Sequence, residues 1–203
     1  TKREGYNVDN DALLANTTGA TNVAIGKSTL AANTTASDNT GVGYAVLLAN
    51  TTGDNNVGVG VNALQANTTG ADNVGVGRNT LLANTTGNYN TAVGLQYRDA
   101  NTTANSNTAL DSNTTGDYNV AIGRDALGAN TTASNNTAIG TSSLDANTTG
   151  DHNVGIGAGT LGSLTTATNN VAIGRDALTN SNASENVSIG AYSLDANTTG
   201  GNL

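Results

Sequence analysis

The sequence predicts an all-β fold, a parallel β-solenoid of about twelve 17-residue coils filling one domain over residues 1–203. Three observations predict it: a strict sequence period, a short apolar segment of alternating character in each period, and a composition without bulky rings. Asn-Thr-Thr begins at Asn16, Asn33, Asn50, Asn67, Asn84 and Asn101, always 17 residues apart. It resumes in the same step at Asn113, Asn130 and Asn147, and returns at Asn197. The unit reads N-T-T-G-x-x-N-V-A-I-G-x-x-A-L-x-A, too short for a pair of helices and suited to one coil of a β-solenoid. Cys, Met, Trp, Phe and Pro are absent and only six Tyr are present. An ordinary globular core is thereby improbable, whereas a narrow layered core needs slim side chains that stack.

Each element follows from its residues. N-V-A-I-G alternates with period two and is β-branched, which favours a strand. The large members of the pairs Val23/Ile25, Val57/Val59, Val74/Val76, Val120/Ile122, Val154/Ile156, Val171/Ile173 and Val187/Ile189 are assigned inward by their size. The intervening Ala or Gly is assigned outward. A glycine ends each strand, as at Gly26, Gly43 and Gly60. A-L-x-A then adds a leucine, including Leu30, Leu64, Leu127 and Leu178, on a short strand expected to face the first. N-T-T-G-x-x makes the return with turn-forming residues. A second Asn row precedes the strand at Asn22, Asn39, Asn56, Asn73, Asn90, Asn107, Asn119, Asn136, Asn153, Asn170 and Asn186, and its amides are expected to hydrogen-bond along the stack. One unit is faulty. From Asn101 to Asn113 the step is 12 residues, and Tyr97-Arg98 replaces the usual small residue and leucine. A bend, loop or contact site is expected over 95–112, with repeat decay as the plainer explanation.

Chemistry is sparse. The lone His152 lies in a turn, the acidic residues form no unbroken row, and no nucleophile, base and orienting acid group together, so no enzyme activity, cofactor or metal is expected. The formal charge of −8 argues against nucleic acid, and no apolar run is long enough to span a bilayer. Three surface readings stay open. The N-T-T sites from Asn16 to Asn197 satisfy the N-x-[ST] rule and are possible glycan acceptors, against a purely structural turn ladder. The Thr17, Thr34, Thr51 and Thr68 row is a regular hydroxyl array of the kind that binds ice, although neighbouring threonines in a strand point to opposite faces. Gly5 and Leu203 both fall in the phase of Asn22, without caps, which suits head-to-tail stacking or excision from a longer array. The absence of an initiator Met and of a leader suggests a mature or excised segment.

At N-V-A-I-G the chain resembles the head repeats of YadA-like trimeric autotransporter adhesins, which carry an S-V-A-I-G type motif in a shorter repeat and form a β-roll. The longer unit N-T-T-G-x-x-N-x-A-x-G-x-x-A-L is similar to repeats of bacterial surface proteins and of phage or virus tail fibres. The resemblance covers all twelve units and implies a fibrous protein outside the cell or on a virion surface, often trimeric. The 17-residue length departs from the shorter adhesin repeat. The expected function is therefore an extracellular structural or adhesive fibre element whose partner is itself, in a filament or a trimer. The alternative is a ligand-binding rod that takes surface glycans or ice.

Overall fold

The computed structural model describes residues 5–7, 11–94, 102–108 and 113–202. Among these the regular elements are all strands, without a helix, and every strand pair is parallel. The chain divides into two compact units, Thr1–Ser106 and Asn107–Leu203. The first holds a six-stranded sheet in chain order: β1 (Gly5–Asn7), β2 (Asn22–Ile25), β3 (Thr40–Val42), β4 (Val57–Val59), β5 (Val74–Val76) and β6 (Thr91–Val93). The second holds five: β7 (Val120–Ile122), β8 (Thr137–Ile139), β9 (Val154–Ile156), β10 (Val171–Ile173) and β11 (Val187–Ile189). Each unit is a β-solenoid, because each strand pairs with the corresponding residues one repeat away. Val57 lies against Val74 and Val59 against Val76, and even Gly5 pairs with Asn22. Among the described residues there are eleven strands, and the shortened repeat contributes the isolated bridge of Thr108 to Val120. Tyr97, Arg98 and Asn101, where the fault was expected, lie outside the described residues.

Hydrogen bonds join coil to coil well beyond the three-residue strands. At the N-T-T corner the Thr51 N–H donates to the Thr68 carbonyl (2.9 Å), and in the leucine turn Leu64 N–H donates to Thr80 (2.9 Å). At the strand end, Gly60 N–H donates back to Val42 (2.8 Å). The leucine segment is a turn, not the facing strand expected from its apolar residues. Its leucines adopt φ of 48–54° throughout, from Leu81 to Leu64, a left-handed conformation that side chains other than Gly, Asn and Asp rarely take. Burial offsets the cost. Leu30, Leu64, Leu127 and Leu178 are completely enclosed, and enclosing a leucine stabilises by about 1.5–3 kcal/mol against roughly 1–2 kcal/mol for the backbone. The glycine column has less choice. Gly43 has φ of 138°, and a Cβ there would sit 1.9 Å from the Gly60 carbonyl oxygen of the next coil.

The two faces of the strand are opposite to the expectation from residue size. Ala24, Ala121 and Ala172 are buried, while Ile25, Ile122 and Ile173 are 38%, 52% and 37% exposed. Val23, Val57, Val59, Val120 and Val171 are only half-buried and share the outer face. The reason is space. At Gly58 and Gly41 the strand centre faces the residue just before the leucine of the preceding coil, at very short range. A Cβ on Gly58 would lie 2.4 Å from Val46 Cγ1, and one on Gly41 2.5 Å from Thr29 Cγ2. A β-branched side chain does not fit inward there, so it faces out. Beside the glycine centres Gly41, Gly75 and Gly155, the side chains of Val46, Thr80 and Thr160 lie 3.5, 3.1 and 3.1 Å from the position a Cβ would take. Gly58→Ala should therefore destabilise the fold by about 1–3 kcal/mol through overpacking. Val46→Ala in the same chain should recover much of that loss, a non-additivity readable by chemical denaturation of the two single variants and the double variant.

Candidate interaction surface

The N-T-T-G corner turns a peptide carbonyl into the interior, where no water can satisfy it. Two asparagines converge on that oxygen. At Gly70 the carbonyl accepts from Asn67 Nδ2 of its own corner (2.9 Å) and from Asn56 Nδ2 of the preceding coil (2.8 Å). The same arrangement recurs at Gly53 with Asn50 and Asn39, and at Ala133 with Asn130 and Asn119. Each row also bonds along itself. Asn67 Nδ2 donates to Asn50 Oδ1 (3.0 Å), and the Asn73 backbone N–H donates to Asn56 Oδ1 (3.0 Å). The strand-side row continues through Asn22, Asn39 and Asn90 in the first unit. In the second it continues through Asn136, Asn153 and Asn170. Leu164 and Ser181, both buried, interrupt the corner row.

On the folded chain this bonding encloses most of the N-T-T asparagines that the sequence offers as glycan acceptors. Asn33, Asn50, Asn67, Asn84, Asn130 and Asn147 have no exposed surface, and Asn113 is equally enclosed. Asn16 lies at the edge of burial, its Nδ2 donating to Gly19 (2.8 Å), and Asn197 is half-buried with its amide on Gly200 (2.7 Å). Asn101 lies outside the described residues. A glycan would replace a hydrogen on an Nδ2 already donating to the corner carbonyl, with no exit for the sugar. The first threonine of the motif is also occupied. Thr34, Thr51 and Thr68 hydroxyls donate to the Thr51, Thr68 and Thr85 carbonyls (3.1, 3.0 and 3.0 Å) and are half-buried, while the second threonines, Thr35, Thr52 and Thr69, are exposed.

What remains outward is aliphatic. In the first unit Val57 and Val74 align in one column, and Ile25, Val42, Val59, Val76 and Val93 in the next. In the second, Val154, Val171 and Val187 run beside Ile122, Ile139, Ile156, Ile173 and Ile189. Exposure reaches 67% at Val93 and 69% at Ile189. Each unit thus presents, over several coils, a continuous aliphatic column beside a second column in which valines share the row with Thr40, Thr91 or Thr137. Contiguous apolar surface of this kind marks interaction sites. Sequence reasoning missed this surface by assigning its residues inward. The signal available was the invariable smallness of the residue between them.

Among the described residues the ionisable groups are spread along the coils. His152 is an exposed turn residue at φ 60°, beside Asp151, whose carboxylate accepts the Ser134 backbone N–H (2.7 Å). Among the described residues, no three of His, Asp and Glu come together as metal ligands. Asp145 is set apart by its surroundings: burial holds its carboxyl above the usual range, backbone N–H groups partly oppose this, and Asp125 adds like-charge repulsion. A carboxyl raised in the folded state favours folding when protonated, and that contribution is lost as pH rises through its folded pKa. Asp145→Asn should therefore raise the melting temperature near neutral pH and lose the advantage in acid.

Asn73→Ala removes one donor to the Gly87 carbonyl (2.8 Å) and the acceptor of the Asn90 backbone N–H (3.0 Å). Asn84 Nδ2 still donates to that carbonyl (3.1 Å), so we expect a loss of about 1–3 kcal/mol, chiefly from the unmatched Asn90 N–H, measurable by urea denaturation; a loss within about 0.5 kcal/mol, on the order of a surface substitution, would contradict it. Comparison with protein-family models, with curated proteins and with solved structures found no match for this chain.

Proposed function

We propose that this chain is a structural element of an extracellular or virion-surface fibre, built by packing copies of itself side by side through the aliphatic ribbons. One observation carries the reading: β-branched side chains face outward on coil after coil, from Ile25 to Val93 and from Ile122 to Ile189, although the interior is already filled. Single exposed apolar residues are ordinary on protein surfaces, but aligned columns of them are not. A second copy offers a matching surface of the same spacing, since both have the same coil repeat. Sheets packed face to face in this way interdigitate at about 10 Å.

The role that follows is mechanical. Coil-to-coil hydrogen bonds on every side of a coil and buried amide rows make each solenoid unit resistant to local opening, and side-by-side packing would cover the one apolar face left. The resemblance of the repeat to those of trimeric adhesins and tail fibres supports an exterior location. Lateral association is favoured over head-to-tail stacking because the apolar surface lies along the coils. Sedimentation velocity at rising concentration should reveal a discrete oligomer of the wild-type chain. Val59→Lys and Ile156→Lys should keep the β-sheet circular dichroism and shift the population toward monomer. A wild-type chain that stays monomeric at high concentration would contradict the proposal.

A further inference from the structure

The corner asparagines have no hydrogen to give up. An asparagine amide carries two N–H donors, and along the N-T-T row both are committed. Asn67 Nδ2 donates to the Gly70 carbonyl (2.9 Å) and to Asn50 Oδ1 (3.0 Å). Asn33 donates to Ala36 (3.0 Å) and Asn16 (2.9 Å), and Asn84 to Gly87 (3.1 Å) and Asn67 (2.9 Å). In the second unit Asn130 donates to Ala133 (3.1 Å) and Asn113 (2.9 Å). The hydroxyl that completes each N-x-T triplet belongs to the second threonine, and Thr35, Thr52, Thr69, Thr86, Thr115, Thr132 and Thr149 are exposed. The acceptor nitrogen is inside the coil and the hydroxyl that marks it is outside.

Three further N-x-[ST] triplets fall outside the N-T-T series: Asn135-Asn136-Thr137, Asn182-Ala183-Ser184 and Asn186-Val187-Ser188. Asn186 is enclosed, with its Nδ2 donating to Asn170 Oδ1 (3.2 Å). Asn135 and Asn182 are exposed, in the turns before β8 and β11. Asn182 is bonded through its oxygen, which accepts the Thr165 and Thr166 backbone N–H groups (3.0 and 3.3 Å) and which N-glycosylation leaves in place.

We infer that N-linked glycosylation divides the asparagines of this chain into two classes. At Asn135 and Asn182 the modified chain folds, whereas at the enclosed positions Asn33, Asn50, Asn67, Asn84, Asn113, Asn130 and Asn147 a glycan and the closed coil exclude each other. The donor is an oligosaccharide carried on a lipid pyrophosphate. Asparagine Nδ2 bonds to the anomeric carbon, the bond from that carbon to the phosphate oxygen breaks, the lipid pyrophosphate leaves, and one Nδ2 proton passes to a base of the transferase. The product keeps one N–H where the row uses two, so the inward carbonyl or the neighbouring amide loses its donor while still buried. The sugar, bulky and strongly hydrated, would also have to enter the closed corner. A folded corner is therefore out of the reach of the transferase, and a corner modified while extended does not close. The chain matures where its unfolded form does not meet such an enzyme.

The full chain, translated behind a cleavable leader into N-glycosylating microsomes, tests this. The product is divided by protease resistance, and the occupied asparagines of each fraction are mapped by mass. Resistant chain should carry glycan at Asn135 or Asn182 and none at the enclosed positions, which should be occupied in the sensitive chain. Glycan at Asn50 or Asn67 in resistant chain would overturn the exclusion. Enclosed positions empty in both fractions would overturn it too, because the coil would then close before transfer and no glycan would block it. Asn135 and Asn182 empty in both fractions would overturn their assignment as acceptors. The exposed threonines supply a control that leaves the amide rows intact. Thr35→Ala, Thr52→Ala and the same change at Thr69, Thr86, Thr115, Thr132 and Thr149, combined in one chain, remove the enclosed triplets. This variant should raise the protease-resistant share in microsomes, and without the transferase it should match the resistance of the wild type. An unchanged share in microsomes would contradict the block.

Discussion

The structure depends on one awkward group: the peptide carbonyl that the N-T-T-G corner turns inward at every coil. A buried carbonyl without a donor costs on the order of 1–3 kcal/mol, and here the cost would recur with each repeat. Asparagine resolves it because its amide both donates and accepts. Asn67 and Asn56 close on the Gly70 oxygen, while Asn56 Oδ1 takes the Asn73 backbone N–H. One side chain type thus matches backbone groups of its own coil and of its neighbours. Identical residues must stack for this to work, which is why the period is strict.

Filling the interior with amides leaves little room for anything else. Per coil there is space for one leucine, one small strand residue and the residue that precedes the leucine. Gly58 against Val46 and Gly41 against Thr29 express that limit. The leucine reaches its place only by a left-handed backbone, and its complete enclosure sustains that conformation. Valine and isoleucine are then displaced to the outer face. The apolar ribbon is a consequence of a polar interior, and it is the surface to which lateral packing is here proposed.

How much of this is legible in the chain depends on what each residue does. Period, strand positions and parallel stacking are legible because Asn, Val/Ile, Gly and Leu each recur at fixed spacing, and alternation by two has a direct structural meaning. The leucine column reads correctly for the same reason: Leu30, Leu64, Leu127 and Leu178 are large, apolar and enclosed. Ile25 and Val59 do not, because size is a poor guide to burial when the core is too thin to admit a branched chain. Alternation gives two faces without saying which is inside. The sequon at Asn50 misleads in a similar way, since N-T-T satisfies a modification rule and a turn equally well until burial is known. Nothing in A-L-x-A announces a left-handed leucine, because only tertiary enclosure makes that conformation tolerable.

The central claim is that the asparagine amides, not the aliphatic side chains, organise the interior. Hydrogen exchange of the side-chain amides, followed by NMR on the full chain, tests it most directly. If the account is right, the Nδ2 protons of Asn56, Asn67 and Asn73 exchange as slowly as the backbone amides of β4 and β5. Exchange at the rate of free asparagine, with those backbone amides still protected, would contradict it.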